Sequence, residues 1–140
     1  MKDKYKLPQS LHEKIFKDIL IRKLNALTNV QAPKIVIIGG QLGSGKSKIF
    51  DYAQSEIFNN DNVAQVNGDD YRMYHPCASE IFALYDKQFS ELTDPDVRLW
   101  TSRLLEELVI SRRNIIFETT MRNKEPLASR VHRIGILLGI

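Results

Sequence analysis

The sequence predicts a three-layer α/β/α fold around a short parallel sheet, preceded by an N-terminal helix. Three short segments, 35–38, 63–66 and 114–117, have the length and composition of strands and alternate with segments of helical periodicity. The first of them is an uninterrupted run of β-branched residues, which is typical of a parallel strand buried on both faces. This alternation indicates βαβ units, and therefore parallel pairing with right-handed crossovers.

The N-terminal helix is predicted from Ser10-Leu-His-Glu13, which has the form of a capping box after Pro8. Apolar residues then recur at spacings of three and four, while most charged residues fall elsewhere. We interpret this stripe as a face that covers the sheet rather than a surface for a partner or a membrane. Its members are Leu11, Ile15, Phe16, Ile19, Leu20, Leu24 and Leu27.

A glycine-rich segment follows the first strand at once and matches G-x-x-x-x-G-K-[ST] at every position. Its glycines let successive backbone N–H groups converge on phosphate oxygens. The motif predicts a site for ATP or GTP, in which Lys46 reaches the β- and γ-phosphates and Ser47 is a ligand of Mg²⁺. The alternative is a chance match in a glycine-rich turn. The predicted nucleotide contacts are Gly40, Gln41, Leu42, Gly43, Ser44, Gly45, Lys46 and Ser47.

In the sequence, helices are predicted before and after the second strand. One continues from the glycine-rich segment to about residue 58, and a second covers 78–92. A third helix is expected to start at Thr93-Asp94-Pro95-Asp96, with Thr93 or Asp94 as N-cap and Pro95 in the first turn. Its predicted buried face consists of Val97, Trp100, Leu104, Leu105, Leu108 and Val109. Arg112 and Arg113 place cations at its negative end.

Acidic residues follow the second and third strands, on the sheet edge where α/β folds hold their ligands. We interpret Asp69 as the base that orients an acceptor hydroxyl toward the γ-phosphate, or alternatively as a loop cap or a ligand of metal-bound water. Glu118 suits a substrate hydroxyl or a metal-bound water, and Arg122 a substrate phosphate. The plainer alternatives for these two are an N-cap and a solvated surface pair. Asp70 is expected to be structural.

Length and composition limit the number of domains, the partners and the location that we expect for the protein. A chain of 140 residues is one domain by length, which we divide into an N-terminal helical segment, 1–33, and a P-loop kinase domain, 34–140. The net charge is +3, and the lysine and arginine residues are spread along the chain and interleaved with acidic residues, so we expect no nucleic-acid partner. A single cysteine, Cys77, and the absence of a leader or of an apolar run of membrane length predict a cytoplasmic protein without a membrane anchor.

From Tyr5 to about Glu125 the sequence resembles the zeta-toxin family of P-loop kinases from bacterial toxin–antitoxin systems. The resemblance is carried by YKLPQSLHEKIF, GGQLGSGKS, NGDDYRMYHP, TDPDVRLW and ETTMRN. It implies transfer of phosphate from ATP, with Mg²⁺, to the 3′-hydroxyl of UDP-N-acetylglucosamine, which blocks cell-wall synthesis, and restraint by a small helical antitoxin. It also implies that Asp69 is the base, with Lys46 at the phosphates. Substrate contacts would come from Asp69, Arg72, Glu118, Thr120 and Arg122.

The C-terminal part departs from the family pattern. In the family, further elements follow the E-x-T-x-R block and supply lid arginines, whereas here 126–133 is a short helix candidate and 134–140 is apolar. We therefore expect a shortened member whose apolar end could support oligomerisation. Three alternatives stay open at this point. They are an active UDP-N-acetylglucosamine kinase, a remnant that binds ATP or antitoxin with little or no turnover, and a P-loop kinase of another small molecule.

Overall fold

The computed structural model describes residues 3–39, 46–58 and 61–119. Within these ranges, strands β1 (Ile35–Gly39), β2 (Ala64–Asn67) and β3 (Ile115–Thr119) form one parallel sheet in the order β1-β3-β2. Among the described strands, β3 thus lies between β1 and β2, and the intervening helices provide the crossover connections that parallel strands need. The predicted parallel sheet is confirmed, although β3 runs two residues further than predicted and includes Glu118.

The helices of the described residues are α1 (Gln9–Asn25), α2 (Lys46–Tyr52), α3 (Ala78–Leu84) and α4 (Phe89–Ile110). A π-helical turn, Ala53–Phe58, extends α2, and 3₁₀ helices cover Gly68–Tyr74 and Asp86–Gln88. None of these helices is both long enough and apolar enough to cross a membrane.

Alternate residues of the central strand face two different helical layers. Ile115 and Phe117 belong to a buried cluster with residues of α1 and α4, whereas Ile116 packs with Ala53 and Phe58 on the opposite face. All five are at most 7% exposed. Side chains that alternate between two covered faces are what a central parallel strand requires. The three-layer α/β/α architecture with its N-terminal helix is confirmed.

The predicted start of α1 was wrong. The helix begins at Gln9, directly after Pro8, and no side chain caps it. Ser10 therefore lies inside the first turn. Glu13 is engaged elsewhere, since its Oε1 accepts hydrogen bonds from Gln9 Nε2 at 2.9 Å and from Arg103 Nη1 of α4 at 2.6 Å. The ion pair with Arg103 lowers the pKa of Glu13.

The predicted start of α4 was also wrong. The α-helix is interrupted between Leu84 and Phe89, where a 3₁₀ helix intervenes, and not at Thr93, so Pro95 lies inside α4. A proline at this point removes one backbone hydrogen bond. The neighbouring side chains make tertiary contacts that favour the continuous helix, because Asp94 pairs with Arg72 and Asp96 pairs with His12. The buried face predicted for this helix is confirmed at all six positions.

Gly68 lets the chain turn from β2 into the 3₁₀ helix directly against α4. A Cβ atom at this position would stand 3.3 Å from Thr101 Oγ1, which is tighter than an ordinary contact. The absence of a side chain here therefore fixes how closely the segment that carries Asp69 approaches α4.

Candidate active site

The parallel register brings the carboxyl ends of the three strands to one edge of the sheet. Gly39, the last residue of β1, pairs with Thr119, and Asn67, the last residue of β2, pairs with Glu118. Because all three strands run in the same direction, the end of β1, the acidic segment after β2 and Glu118 of β3 all lie at the carboxyl edge. This is the edge at which open α/β sheets bind ligands.

The glycine-rich segment joins β1 to α2. Residues 40–45 lie outside the described residues, so their predicted phosphate contacts stay predictions. Lys46 and Ser47 are the first two residues of α2, directly beyond that segment. A hydroxyl oxygen next to bound phosphates is a suitable Mg²⁺ ligand, because Mg²⁺ keeps several waters and is commonly held by few protein groups. The described residues contain no cluster of three or more acidic, histidine or cysteine side chains arranged for a metal ion.

Asp69 stands at the second position of the 3₁₀ helix that follows β2. Its carboxylate is 62% exposed, and Oδ1 accepts a hydrogen bond from Arg72 Nε at 2.8 Å. One oxygen is therefore fixed by an internal cation while the group as a whole faces solvent. This arrangement suits a carboxylate that must meet a substrate hydroxyl in a defined orientation.

Arg72 is held much more firmly than Asp69, with its side chain only 13% exposed. Its Nη1 donates to Asp94 Oδ1 at 2.7 Å and also contacts Ser90 O and Thr93 Oγ1, each at 2.9 Å. The guanidinium thus joins the segment carrying Asp69 to the first turns of α4. The sequence predicted that Arg72 binds substrate. That role stays a prediction, and the observed contacts are with the protein itself.

Asn67 is a site residue that the sequence analysis did not single out. Its Oδ1 accepts the backbone N–H of Asp69 at 3.0 Å, and its Nδ2 donates to Glu118 Oε2 at 3.3 Å. One amide side chain therefore caps the 3₁₀ helix and links the two predicted functional acids. The available signal was asparagine at the end of a strand before Gly-Asp, since asparagine is favoured at such caps.

Glu118 is half-buried within β3, and its neighbours in the sheet are Ile38 of β1 and Asn67 of β2. The other two residues of the predicted E-x-T-x-R set, Thr120 and Arg122, lie outside the described residues. Asp70 lines a cavity beside α1 that Asp69 does not line.

The hydrogen bonds of the His75 ring indicate a structural role. The Cys77 backbone N–H donates to its Nδ1 at 3.0 Å, so the ring proton must be on Nε2, which lies 2.8 Å from Tyr5 O. The ring therefore links the segment around Tyr5 to the backbone at Cys77.

Comparison with models of known protein families shows to which family the chain belongs. The model of the Zeta toxin family matches residues 17–134 of this chain. The chain belongs to the zeta-toxin family.

Named relatives of this zeta-toxin family member agree with that assignment. It is 32% identical over 111 residues to toxin PezT of Streptococcus pneumoniae serotype 4, an alignment covering 76% of this chain and 43% of PezT. It is 28% identical over 117 residues to toxin zeta of Streptococcus agalactiae, covering 81% of this chain and 40% of that toxin. The chain thus spans about two-fifths of the length of these relatives.

The same fold is found in a solved structure. A chain from the structural characterisation of the PezAT chromosomal toxin–antitoxin system of Streptococcus pneumoniae superposes with a TM-score of 0.84 at 22% identity. The superposition covers 95% of this chain and 55% of that one. The arrangement of strands and helices in this zeta-toxin family member is therefore shared with a solved toxin–antitoxin protein.

Proposed function

We propose that this protein is a zeta-type kinase that transfers the γ-phosphate of ATP or GTP to the 3′-hydroxyl of UDP-N-acetylglucosamine. The observation that supports the proposal is that the end of β1, Asp69 directly after β2, and Glu118 of β3 lie at one carboxyl edge of a parallel sheet. Membership of the zeta-toxin family supports the choice of reaction class. The product would block cell-wall synthesis from within the cytoplasm.

Asp69 is the proposed base. The attacking 3′-oxygen forms a bond to the γ-phosphorus as its proton passes to the Asp69 carboxylate, and the bond to the β-phosphate oxygen breaks to release the nucleoside diphosphate. The hydrogen bond from Arg72 fixes Oδ1 and so restricts how the carboxylate can rotate. Phosphoryl transfer depends strongly on such positioning, because it requires an in-line approach.

Lys46 and Ser47 are the proposed phosphate and metal groups. Lys46 neutralises negative charge on the β- and γ-phosphates, and the Ser47 hydroxyl is a ligand of Mg²⁺. The metal, when bound, supplies further charge neutralisation and orients the phosphates. Both residues begin the helix that follows the glycine-rich segment, which suits an anionic ligand at that end.

The sugar nucleotide is held, in this proposal, by Glu118, Thr120 and Arg122, with Arg72 close to the same edge. Glu118 would accept a hydrogen bond from a sugar hydroxyl, and its carboxylate is already oriented by Asn67. A small helical antitoxin is the proposed protein partner. The toxin–antitoxin context of the superposed structure supports that choice.

The test is a mass-spectrometric assay for phosphorylated UDP-N-acetylglucosamine after incubation with MgATP. Lys46→Ala and Asp69→Asn are the key variants, and MgATP-induced thermal stabilisation is measured in parallel. We expect product from the unmodified protein alone, and MgATP stabilisation in the unmodified protein and Asp69→Asn but not in Lys46→Ala. Normal turnover by Asp69→Asn would remove that residue from the role of base.

Two other outcomes would replace the proposal with a defined alternative. MgATP stabilisation without product would favour a protein that binds nucleotide without turnover. Nucleotide consumption only when other hydroxylated small molecules are supplied would favour a kinase of another substrate.

A further inference from the structure

Asn67 is the one asparagine of the sequence that is followed by glycine. Asparagine is a chemically labile residue, and a following glycine favours loss of the side-chain amide because it has no Cβ to shield the backbone nitrogen. This pair stands at the candidate active site, where Asn67 links the backbone of Asp69 to the side chain of Glu118. A reaction at this amide would therefore change the site itself.

The reaction is deamidation through a cyclic imide. The backbone nitrogen of Gly68 attacks Cγ of Asn67, the Cγ–Nδ2 bond breaks, and Nδ2 leaves as ammonia with the proton of the Gly68 N–H. Water then opens the ring. Cleavage of the new Cγ–N bond leaves aspartate, whereas cleavage of the original backbone C–N bond leaves isoaspartate. Water is the co-reactant, and the neighbouring residues Asp69 and Asp70 are exposed to it.

The packing of the fold favours glycine at position 68. A Cβ atom there would stand 3.3 Å from Thr101 Oγ1, so a larger residue would press the segment away from α4. The susceptible pair is therefore a consequence of how closely this segment approaches the helix.

The backbone conformation of Asn67 hinders the attack. Its φ of −140° and ψ of 120° are extended, and rotation about the Cα–C bond thus holds the next nitrogen away from the position beside Cβ that ring closure needs. Both ends of the amide are also occupied, since Oδ1 accepts the Asp69 N–H at 3.0 Å and Nδ2 donates to Glu118 Oε2 at 3.3 Å. The segment must therefore open before the ring can close.

Arg72 holds this segment against α4. Opening at Asn67 displaces the start of the 3₁₀ helix Gly68–Tyr74, which Arg72 attaches to the first turns of α4. The attachment consists of the contacts of Nη1 with Ser90 O, Thr93 Oγ1 and Asp94 Oδ1. Such a segment can open without unfolding of the whole protein, because local opening disrupts fewer contacts.

We propose that Asn67 is a site of spontaneous deamidation and that local opening of the segment held by Arg72 controls its rate. Either product replaces the amide donor to Glu118 with a carboxylate, and isoaspartate also lengthens the backbone between β2 and Asp69. The folded protein therefore loses this part of its site slowly with age. The inference does not depend on the proposed kinase reaction.

The test compares deamidation in the folded protein and in protein unfolded by urea, at the same pH and temperature. Peptides are analysed by mass spectrometry after trypsin digestion. The tryptic peptide 49–72 contains both Asn67 and Asn62, which precedes valine and is the internal reference. In the unfolded chain we expect Asn67 to react about tenfold or more faster than Asn62. Folding should slow the reaction at Asn67 about tenfold or more.

Two variants separate local opening from global unfolding. Arg72→Lys loses contacts with α4 and should speed deamidation of Asn67 in the folded protein about fivefold or more. Asp96→Ala removes a buried partner of His12 instead, so it should lower the stability of the whole protein more, yet change the rate less than about twofold. Urea unfolding of both variants measures the global stability.

Three results would each overturn the proposal. The first is an equal rate at Asn67 in folded and unfolded protein, and the second is a rate in the unfolded chain no faster than that of Asn62. The third is a rate in Arg72→Lys that is unchanged, or that is raised no more than in Asp96→Ala.

The aged protein provides an independent check of the consequence. Its deamidated form carries an additional negative charge and can be isolated by ion exchange. Because the new carboxylate stands against Glu118, this form should unfold at lower urea concentration than the unmodified protein, by more at pH 7.5 than at pH 4.5. Equal stability of the two forms at both pH values would contradict the assigned effect on the site.

Discussion

At the residue scale, Arg72 connects the candidate base to α4. It contacts Asp69 on one side and Asp94, Thr93 and Ser90 on the other, with most of its side chain buried. We expect Arg72→Lys to lower the rate of phosphoryl transfer about 10- to 100-fold with little change in KM for nucleotide. Lysine keeps the charge but lacks the fork that contacts two carboxylates at once, so Asp69 would no longer be fixed.

The matched control for this prediction is Arg98→Lys. Arg98 also approaches Asp94, at 3.5 Å, but its side chain is 61% exposed, against 13% for Arg72. Its replacement should leave the rate within about twofold of the original. A double variant of Arg72→Lys with Asp69→Asn should be no slower than Asp69→Asn alone, because the two residues act through one group. Additive losses would contradict this role for Arg72.

Asn67 offers a second residue-scale prediction, because its amide serves two partners. Asn67→Ala should lower the free energy of unfolding by about 1 kcal/mol through loss of the cap. Asn67→Asp keeps the acceptor for the Asp69 N–H but places a carboxylate against Glu118. Like charges raise the folded-state pKa of one carboxyl, so this variant should be more destabilised at pH 7.5 than at pH 4.5.

Denaturant unfolding at both pH values, each referred to the unmodified protein, measures this effect. Asn67→Ser, which can cap without adding charge, is the control and should show no such pH dependence. A pH-independent loss in Asn67→Asp would contradict the proximity of the two carboxyl groups.

At the element scale, the end of α4 depends on an arginine in a left-handed conformation. Arg112 has a φ of 59°, and its N–H and that of Arg113 donate to Val109 O and Leu108 O, each at 3.0 Å. This is the hydrogen-bond pattern of a helix C-terminus that usually has glycine at this position. The side chain adds a contact from Nη2 to Gln31 O.

Replacing Arg112 by glycine and by alanine separates backbone strain from the side-chain contact. Both variants lose the contact with Gln31, but only alanine retains the cost of the left-handed conformation. Arg112→Gly should therefore be more stable than Arg112→Ala by about 1 kcal/mol, or a few degrees in Tm. Thermal unfolding of the two variants measures this difference, and equal Tm values would contradict the assigned conformation.

The elements also show how far the sequence predicts this fold. Strands β1, β2 and β3 and the buried face of α4 follow from apolar patterns, because local periodicity reports burial directly. The starts of α1 and α4 could not be predicted from local sequence. Glu13 pairs with Arg103 and Asp94 with Arg72, and these partners are 90 and 22 residues away in the sequence. The motif segments were found from their spacing. The hydrogen bond between Asn67 and Glu118 was not predicted, because it depends on the register of the strands, which a local sequence pattern does not determine.

At the scale of the whole molecule, α1 is joined to α4 by a buried polar contact as well as by apolar packing. His12 Nδ1 and Asp96 Oδ1 are 2.6 Å apart, and Asp96 Oδ2 accepts the Leu7 N–H at 3.0 Å. Trp100 Nε1 donates to His12 O at 3.1 Å, and the two rings stack at 5.3 Å. The N-terminal segment is thus attached to the helix whose first turns hold Arg72.

Removing Asp96 should therefore weaken the whole structure. Asp96→Ala would leave the Leu7 N–H and the His12 ring N–H buried without their acceptor, so we expect the free energy of unfolding to fall by about 3 kcal/mol. Asp18→Ala is the control, because Asp18 makes an exposed pair with Arg22 and should cost less than about 1 kcal/mol. Urea unfolding followed by the fluorescence of Trp100, the single tryptophan of the chain, measures both. If the two variants lost equal stability, the buried contact would contribute no more than a surface ion pair. The attachment of α1 to α4 would then have to come from the Glu13–Arg103 pair, the Trp100–His12 hydrogen bond and the apolar packing of Phe16 and Ile19.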